Sequence, residues 1–187
     1  MKFCYNLSDE VTNSFIPFEF KKPDNQKTVN IVIGYLSHIN KEFAELLKRV
    51  GCYVDQIDIF YTFAPVRYDI HIDRPDADNT FAKINYVVGG KDSFMDWYAL
   101  KEGKSCYWFT DVVGTKVRGY RREECDHLYR HHMPGGRAYL LDVGTPHDLT
   151  NPTEQRTCYS MFLSDIETKR KLSLEEARQR FEKYIVE

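Results

Sequence analysis

The strongest chemical signal in the chain is the string Tyr68-Asp69-Ile70-His71-Ile72-Asp73, in which an imidazole and a carboxylate stand two residues apart. On an extended strand, positions i and i+2 project to the same face, about 6 to 7 Å apart along the chain. Two such donors converge on one metal ion when a third arrives from elsewhere. The run from Ala138 to Asp142 reads as a strand, and the turn after it carries a second histidine, His147. His71, Asp73 and His147 therefore form a candidate catalytic and metal-binding set of two histidines and one carboxylate. Nine residues after His147, across the polar turn Asn151-Pro152-Thr153-Glu154-Gln155, Arg156 opens another apolar run, one hairpin away by this reading. Its planar guanidinium can grip a carboxylate with two parallel hydrogen bonds, which a lysine ammonium cannot do.

Two histidines and a carboxylate occupy one face of an octahedron and suit Fe(II), leaving three positions for a co-substrate and dioxygen. A closed four-ligand zinc site would leave none. The order His-x-Asp, then a histidine after 73 intervening residues, then an arginine about ten residues later, resembles the Fe(II)/2-oxoglutarate-dependent dioxygenases over roughly Tyr68 to Leu163. The strings Ala82-Lys83-Ile84-Asn85-Tyr86-Val87-Val88 and Met95-Asp96-Trp97-Tyr98 are also similar to small phage and bacterial members related to aspartyl/asparaginyl and prolyl hydroxylases.

That resemblance implies a mainly β fold, a double-stranded β-helix (a cupin-like jelly roll) of eight core strands with flanking N-terminal and C-terminal helices. It implies Fe(II) on His71, Asp73 and His147, the co-substrate 2-oxoglutarate on Arg156, and O2 as the oxidant. Many members carry a serine two residues after the arginine, where this chain has Cys158. Ser160, Tyr86 and Asn85 are then the candidates for a second cofactor-binding donor. The implied activity is hydroxylation of an unactivated C–H bond in a small molecule, amino acid, or peptide or protein side chain. Two other readings fit the same residues: a metal-binding cupin that takes no 2-oxoglutarate, and a non-enzymatic jelly-roll module.

Other residues compete for attention. A short helix around Glu123–His132 would put His127 and His131 at i and i+4, a zinc-binding spacing with Cys125 and His132 close by, but no second ligand pair stands near. The charged segment 114–136 reads as a binding loop, with Arg118, Arg121 and Arg122 either facing an acidic partner or simply solvated. Trp97 and Trp108 read as core. Lys83 and Asn85 alternate with Ala82, Ile84 and Tyr86, so one set faces a site and the other a covering layer, with the register open. Gly89-Gly90 reads as a turn, since no helix N-terminus follows to make it a phosphate loop.

These residues need a scaffold of strands. Runs rich in β-branched and aromatic residues predict strands over Asn30–Tyr35, Val54–Phe60, Tyr68–Ile72, Thr80–Val88, Met95–Ala99, Tyr107–Val113, Ala138–Asp142 and Thr157–Leu163. Two amphipathic helices flank them. One starts after Asn40, carries Phe43, Leu46, Leu47 and Val50, and stops at Gly51; the other opens on the Ser173/Glu176 capping box and runs toward Ile185. Absence of repeats or linkers points to a single domain spanning 1–187.

The 187 residues include 42% hydrophobic and 14% aromatic residues, enough for a packed core, and a formal charge of −2 argues against nucleic-acid or membrane-surface binding. Five scattered cysteines without a CxxC pair suit a reducing, cytoplasmic setting, and no stretch reads as a signal peptide or membrane span. No heptad repeat speaks to oligomeric state.

Overall fold

In the computed structural model, which describes residues 2–20, 29–54, 56–62, 65–73, 81–110, 114 and 116–186, these runs pair into antiparallel sheets. The first half of the chain supplies β1 (Cys4–Leu7), β2 (Val29–Tyr35), β3 (Cys52–Tyr53), β4 (Gln56–Thr62), β5 (Val66–Arg67), β6 (Ile70–Ile72) and β7 (Ala82–Gly89). The second half supplies β8 (Phe94–Leu100), β9 (Tyr107–Thr110), β10 (Lys116–Tyr120), β11 (Cys125–His132), β12 (Arg137–Asp142), β13 (His147–Asn151), β14 (Arg156–Phe162), β15 (Ser164–Asp165) and β16 (Ile185–Val186). The helices are α1 (Asp9–Ser14), α2 (Lys41–Arg49) and α3 (Leu174–Arg180).

One sheet runs β16-β1-β12-β7-β14-β4-β2 and the other β11-β8-β13-β6-β10-β9, with β5 joined to β13 and β3 paired separately with β15. Neither sheet closes on itself. From β6 to β8 and again from β11 to β14, the chain passes repeatedly from one sheet to the other, so residues close in sequence end up facing each other across the molecule.

The first sheet packs apolar residues on both faces. On one, Ile57, Ile59, Ile84 and Leu140 meet Phe43, Leu46 and Phe181 from the helices in a cluster closed to solvent. On the other, Val87, Leu141, Cys158 and Phe162 meet Met95 and Trp97 of the second sheet. The expected helix starts at Asn40 and Ser173 hold, and the reciprocal hydrogen bonds of the Ser173/Glu176 capping box are formed. Gly51 follows α2 in a left-handed conformation (φ +68°) and ends it. The last helix ends earlier than its apolar stripe suggested, because Ile185 leaves it to pair with Leu7 at the edge of the first sheet.

Three expectations change. Residues 125–132 form the strand β11 and not a helix, since pairing along β8 from Leu100 to Phe94 outweighs their weak local preference. With β10, this makes much of segment 114–136 part of the second sheet. Trp97 is fully buried, with its indole N–H donating to the Asp142 carbonyl (3.0 Å), but Trp108 is 51% exposed on the edge strand β9 beside Lys116 and Arg118. Parts of three predicted strands, Asp55, Thr80 and 111–113, lie outside the described residues. No helix among the described residues is long and apolar enough to cross a membrane.

Candidate metal centre

The antiparallel register of β6 and β13 sets His71 directly opposite His147. Side chains at paired positions share a face, and the two rings lie 4.7 Å apart, centre to centre. Asp73 follows β6 by one residue, its backbone N–H held by the Val143 carbonyl (3.0 Å). Its Oδ1 is 3.4 Å from His71 Nε2 and 3.8 Å from His147 Nε2. One donor atom from each of the three residues falls within 4.8 Å of the others, a spacing at which they can share a metal ion.

The ring orientations fit that use. His71 Nδ1 lies 2.8 Å from the Asp69 carbonyl and His147 Nδ1 lies 2.9 Å from the Thr145 carbonyl. A carbonyl only accepts, so each Nδ1 carries a proton and each Nε2 is the nitrogen that faces the centre, free to bind a metal once it is unprotonated. The turn behind His147 is itself tied down, as Asp142 accepts from the Gly144 N–H (3.0 Å) and the Thr145 hydroxyl.

Burial lowers His147 to a pKa of about 4, and the neighbouring His71 pushes the same way, so its imidazole stays neutral. His71 goes the other way. Burial acts to lower it, but the hydrogen bond and charge of Asp73 outweigh that and hold it above 6.5. Asp73 is lowered well below the carboxylate range: burial opposes this, and Lys83 with the two histidines overcomes it.

Between about pH 4 and 6.5 the unfolded chain protonates His147 and the folded, metal-free one does not, so this residue costs stability as pH falls through that window. The stability His71 adds is present below 6.5 and lost as pH rises through its raised value. A metal must displace the His71 proton. Adding Co(II) without oxygen should therefore release protons wherever His71 is protonated, and affinity should rise with pH until His71 has lost its proton; an affinity independent of pH would contradict this competition.

Facing the triad across the same cleft are residues of the first sheet. Asn85, Arg156, Cys158 and Ser160 line it together with Tyr68, and Phe60, Met95, Val143 and Leu149 make its apolar walls. Counted out to the solvent, its empty space is about 490 Å3. Arg156 is 3% exposed and held through its backbone, its carbonyl accepting from the Thr62 hydroxyl (3.2 Å). Asn151 braces this link, donating to the Glu154 carbonyl (2.6 Å) and the Thr62 hydroxyl (3.4 Å). Gly90 (φ +68°) lies so close that a Cβ there would come within 2.9 Å of Arg156 Cγ and Cδ, so only glycine leaves room for the guanidinium stem.

Three buried polar atoms on this cleft have no hydrogen-bond partner: Arg156 Nε, the Tyr68 hydroxyl and Asn85 Oδ1. Burial raises the Tyr68 phenol and the Cys158 thiol, so both keep their protons. Unpartnered buried donors cost stability unless a ligand pairs them; Arg156 Nε and the Tyr68 hydroxyl are two such donors and make their part of the cleft a fitting seat for a carboxylate, whereas Asn85 Oδ1 only accepts.

The site is thus two-sided, and Arg156 does not reach it through a hairpin. The turn after β13 crosses between sheets, because β14 pairs with β4 and β7 and not with β13. Tyr86 lies on the opposite face of β7, packed on Phe15 (ring centres 5.0 Å apart), away from the cleft. Sequence reasoning missed Tyr68, which lines the same cleft as His71 although its odd separation from His71 along an extended chain would put it on the opposite face; it lies before the start of β6, where that alternation does not hold. It also left Lys83 unplaced. Lys83 points inward, with Nζ 2.8 Å from Asp73 Oδ2. The competing histidines disperse: His127 Nε2 pairs with Asp96 (2.7 Å), His131 Nε2 meets Asn6 (3.0 Å) and His132 Nε2 meets the Lys91 carbonyl (2.8 Å). Arg122 binds the buried Asp148.

No family model matches the sequence, and no curated protein matches it. Among solved structures, the chain is similar to an oxidoreductase of the 2OG-Fe(II) oxygenase family from Burkholderia pseudomallei, with 9% identity, a TM-score of 0.40, and coverage of 71% of this chain and 55% of that one. It is also similar to the coconut allergen cocosin, with 11% identity, a TM-score of 0.37, and coverage of 93% and 40%. The chain spans about half the length, or less, of these structures.

Proposed function

We propose that this chain is an Fe(II)- and 2-oxoglutarate-dependent dioxygenase that hydroxylates a C–H bond in an amino acid or in a peptide or protein side chain. The observation that carries the reading is the two-sided cleft: three metal donors on one sheet, and on the other a buried arginine with an unpartnered donor nitrogen. The fold reading that goes with it is a double-stranded β-helix. It is supported by the strand orders β12-β7-β14-β4 and β11-β8-β13-β6, an eight-stranded core with four strands in each sheet and a chain that alternates between them.

His71, Asp73 and His147 would hold the iron, which when bound supplies the oxidation chemistry and the coordination positions for 2-oxoglutarate and O2. The work of the chain is placement. The Asp69 and Thr145 carbonyls keep both Nε2 lone pairs aimed at the centre. Arg156 receives the far carboxylate of 2-oxoglutarate, and the protonated Tyr68 hydroxyl, on the same cleft, is the second donor that Cys158 is too weak to be. Phe60, Met95, Val143 and Leu149 keep water from the remainder and suit the approach of an apolar C–H bond.

The direct test is anaerobic titration of the Fe(II)-loaded protein with 2-oxoglutarate. Chelation should produce a weak visible metal-to-ligand absorption, lost in His71→Ala. Bound metal with no such absorption would favour a cupin that uses no keto acid, and failure to bind metal would leave a non-enzymatic module.

A further inference from the structure

Against Asp73 lies a buried charge that the proposed chemistry does not use. Lys83 is 2% exposed on β7, and its ammonium lies 2.8 Å from Asp73 Oδ2, 3.5 Å from Asp58 Oδ2 and 4.0 Å from the centre of the Phe162 ring. Asp58 is in turn held by Gln56, whose amide donates to its other oxygen (2.5 Å). A polar chain Gln56–Asp58–Lys83–Asp73 therefore runs from β4 through the sandwich to the metal donors. Burying an ammonium is costly unless it is paired, and here both partners are carboxylates in the one place where a carboxylate has another task.

The division of labour on Asp73 is specific. Oδ1 faces the two histidines, and Oδ2 is taken by Lys83. A carboxylate with both oxygens free can swing to bind a metal through both, filling a second coordination position. Asp73 stands just beyond the end of β6 with its backbone N–H on the Val143 carbonyl; that bond fixes the main chain, so the orientation of the carboxyl group is set by its side-chain contacts.

We propose that Lys83 is a positioning residue that holds Asp73 as a one-oxygen ligand and so keeps the third open coordination position free. Asp58 steers the ammonium from behind. The inference rests on the metal-binding part of the function proposed above and not on its use of 2-oxoglutarate.

The test uses Co(II), whose visible absorption reports coordination number and geometry, on the full chain without oxygen. Lys83→Met keeps the length of the side chain and removes its charge. It should change the shape and intensity of the Co(II) bands and shift metal affinity by about 10- to 100-fold, the usual effect of losing an outer hydrogen-bond partner of a ligand. Asp58→Asn, a milder change that leaves Lys83 in place, should move the bands in the same direction by less, which guards against a Lys83→Met protein that folds poorly. Wild-type bands and affinity in both variants, with only a lowered melting temperature, would overturn the inference while leaving the metal site intact. A wild-type protein that binds no Co(II) would overturn both.

Discussion

Asp73→Ala should abolish metal-dependent turnover, leaving no 2-oxoglutarate-dependent succinate above background, and should weaken Fe(II) or Co(II) binding by at least two orders of magnitude. Two effects combine. The only carboxylate of the triad disappears, leaving two neutral imidazoles whose attraction for a divalent ion lacks any charge term. At the same time Lys83 loses its nearer partner and keeps only Asp58, 3.5 Å away. Breaking a buried pair from one side typically costs about 3–5 kcal/mol; the remaining carboxylate should hold the loss in the metal-free protein near or below the lower end. Asp73→Asn separates the two effects, because an amide oxygen can still accept from Lys83 while the metal loses its anionic ligand. Normal succinate production by Asp73→Ala would refute the assignment of the triad.

How far the site could be read in advance depends on the range of the interaction. His71 and Asp73 were legible because their relation is local: a strand of period two puts both on one face whatever it pairs with. The helix starts at Asn40 and Ser173 were legible for the same reason. That His147 stands opposite His71 is a matter of register between strands far apart in the chain, which no local pattern encodes. The register also decided Lys83 and Asn85 against Tyr86, since the alternation was plain but the side facing the cleft was not. Residues 125–132 misled because Cys-Asp-His-Leu-Tyr-Arg-His-His has little strand preference of its own; β11 exists because β8 offers it an edge, and Asp96 offers partners to His127 and Arg130. Arg156 was picked out for the chemistry of its head group; that it approaches from the opposite sheet was not legible, because β14 pairs with β4 and β7 and not with β13.

Arg156→Lys should raise the dissociation constant for 2-oxoglutarate by about 10- to 100-fold and leave metal affinity unchanged. A charge-assisted hydrogen bond contributes about 1.5–3 kcal/mol, and every 1.4 kcal/mol is a factor of ten. Lysine keeps the charge, so the loss measures the planar two-pronged geometry and the reach of the side chain. The backbone at this position is fixed from both sides, by Thr62 on its carbonyl and by Gly90 against its stem, so a shorter head group has no means of advancing toward the acid. The triad hangs from the other side of the cleft, with His71 on β6, His147 on β13 and Asp73 just beyond β6. Anaerobic titrations of metal and of 2-oxoglutarate on the same variant therefore give different answers if Arg156 is a co-substrate anchor. Equal losses in both would point instead to a general collapse of the cleft, and an unchanged affinity for 2-oxoglutarate would remove Arg156 from its proposed role. Turnover at saturating 2-oxoglutarate should recover most of the wild-type rate, because the anchor holds the end of the acid that does not react and its loss is felt chiefly in binding.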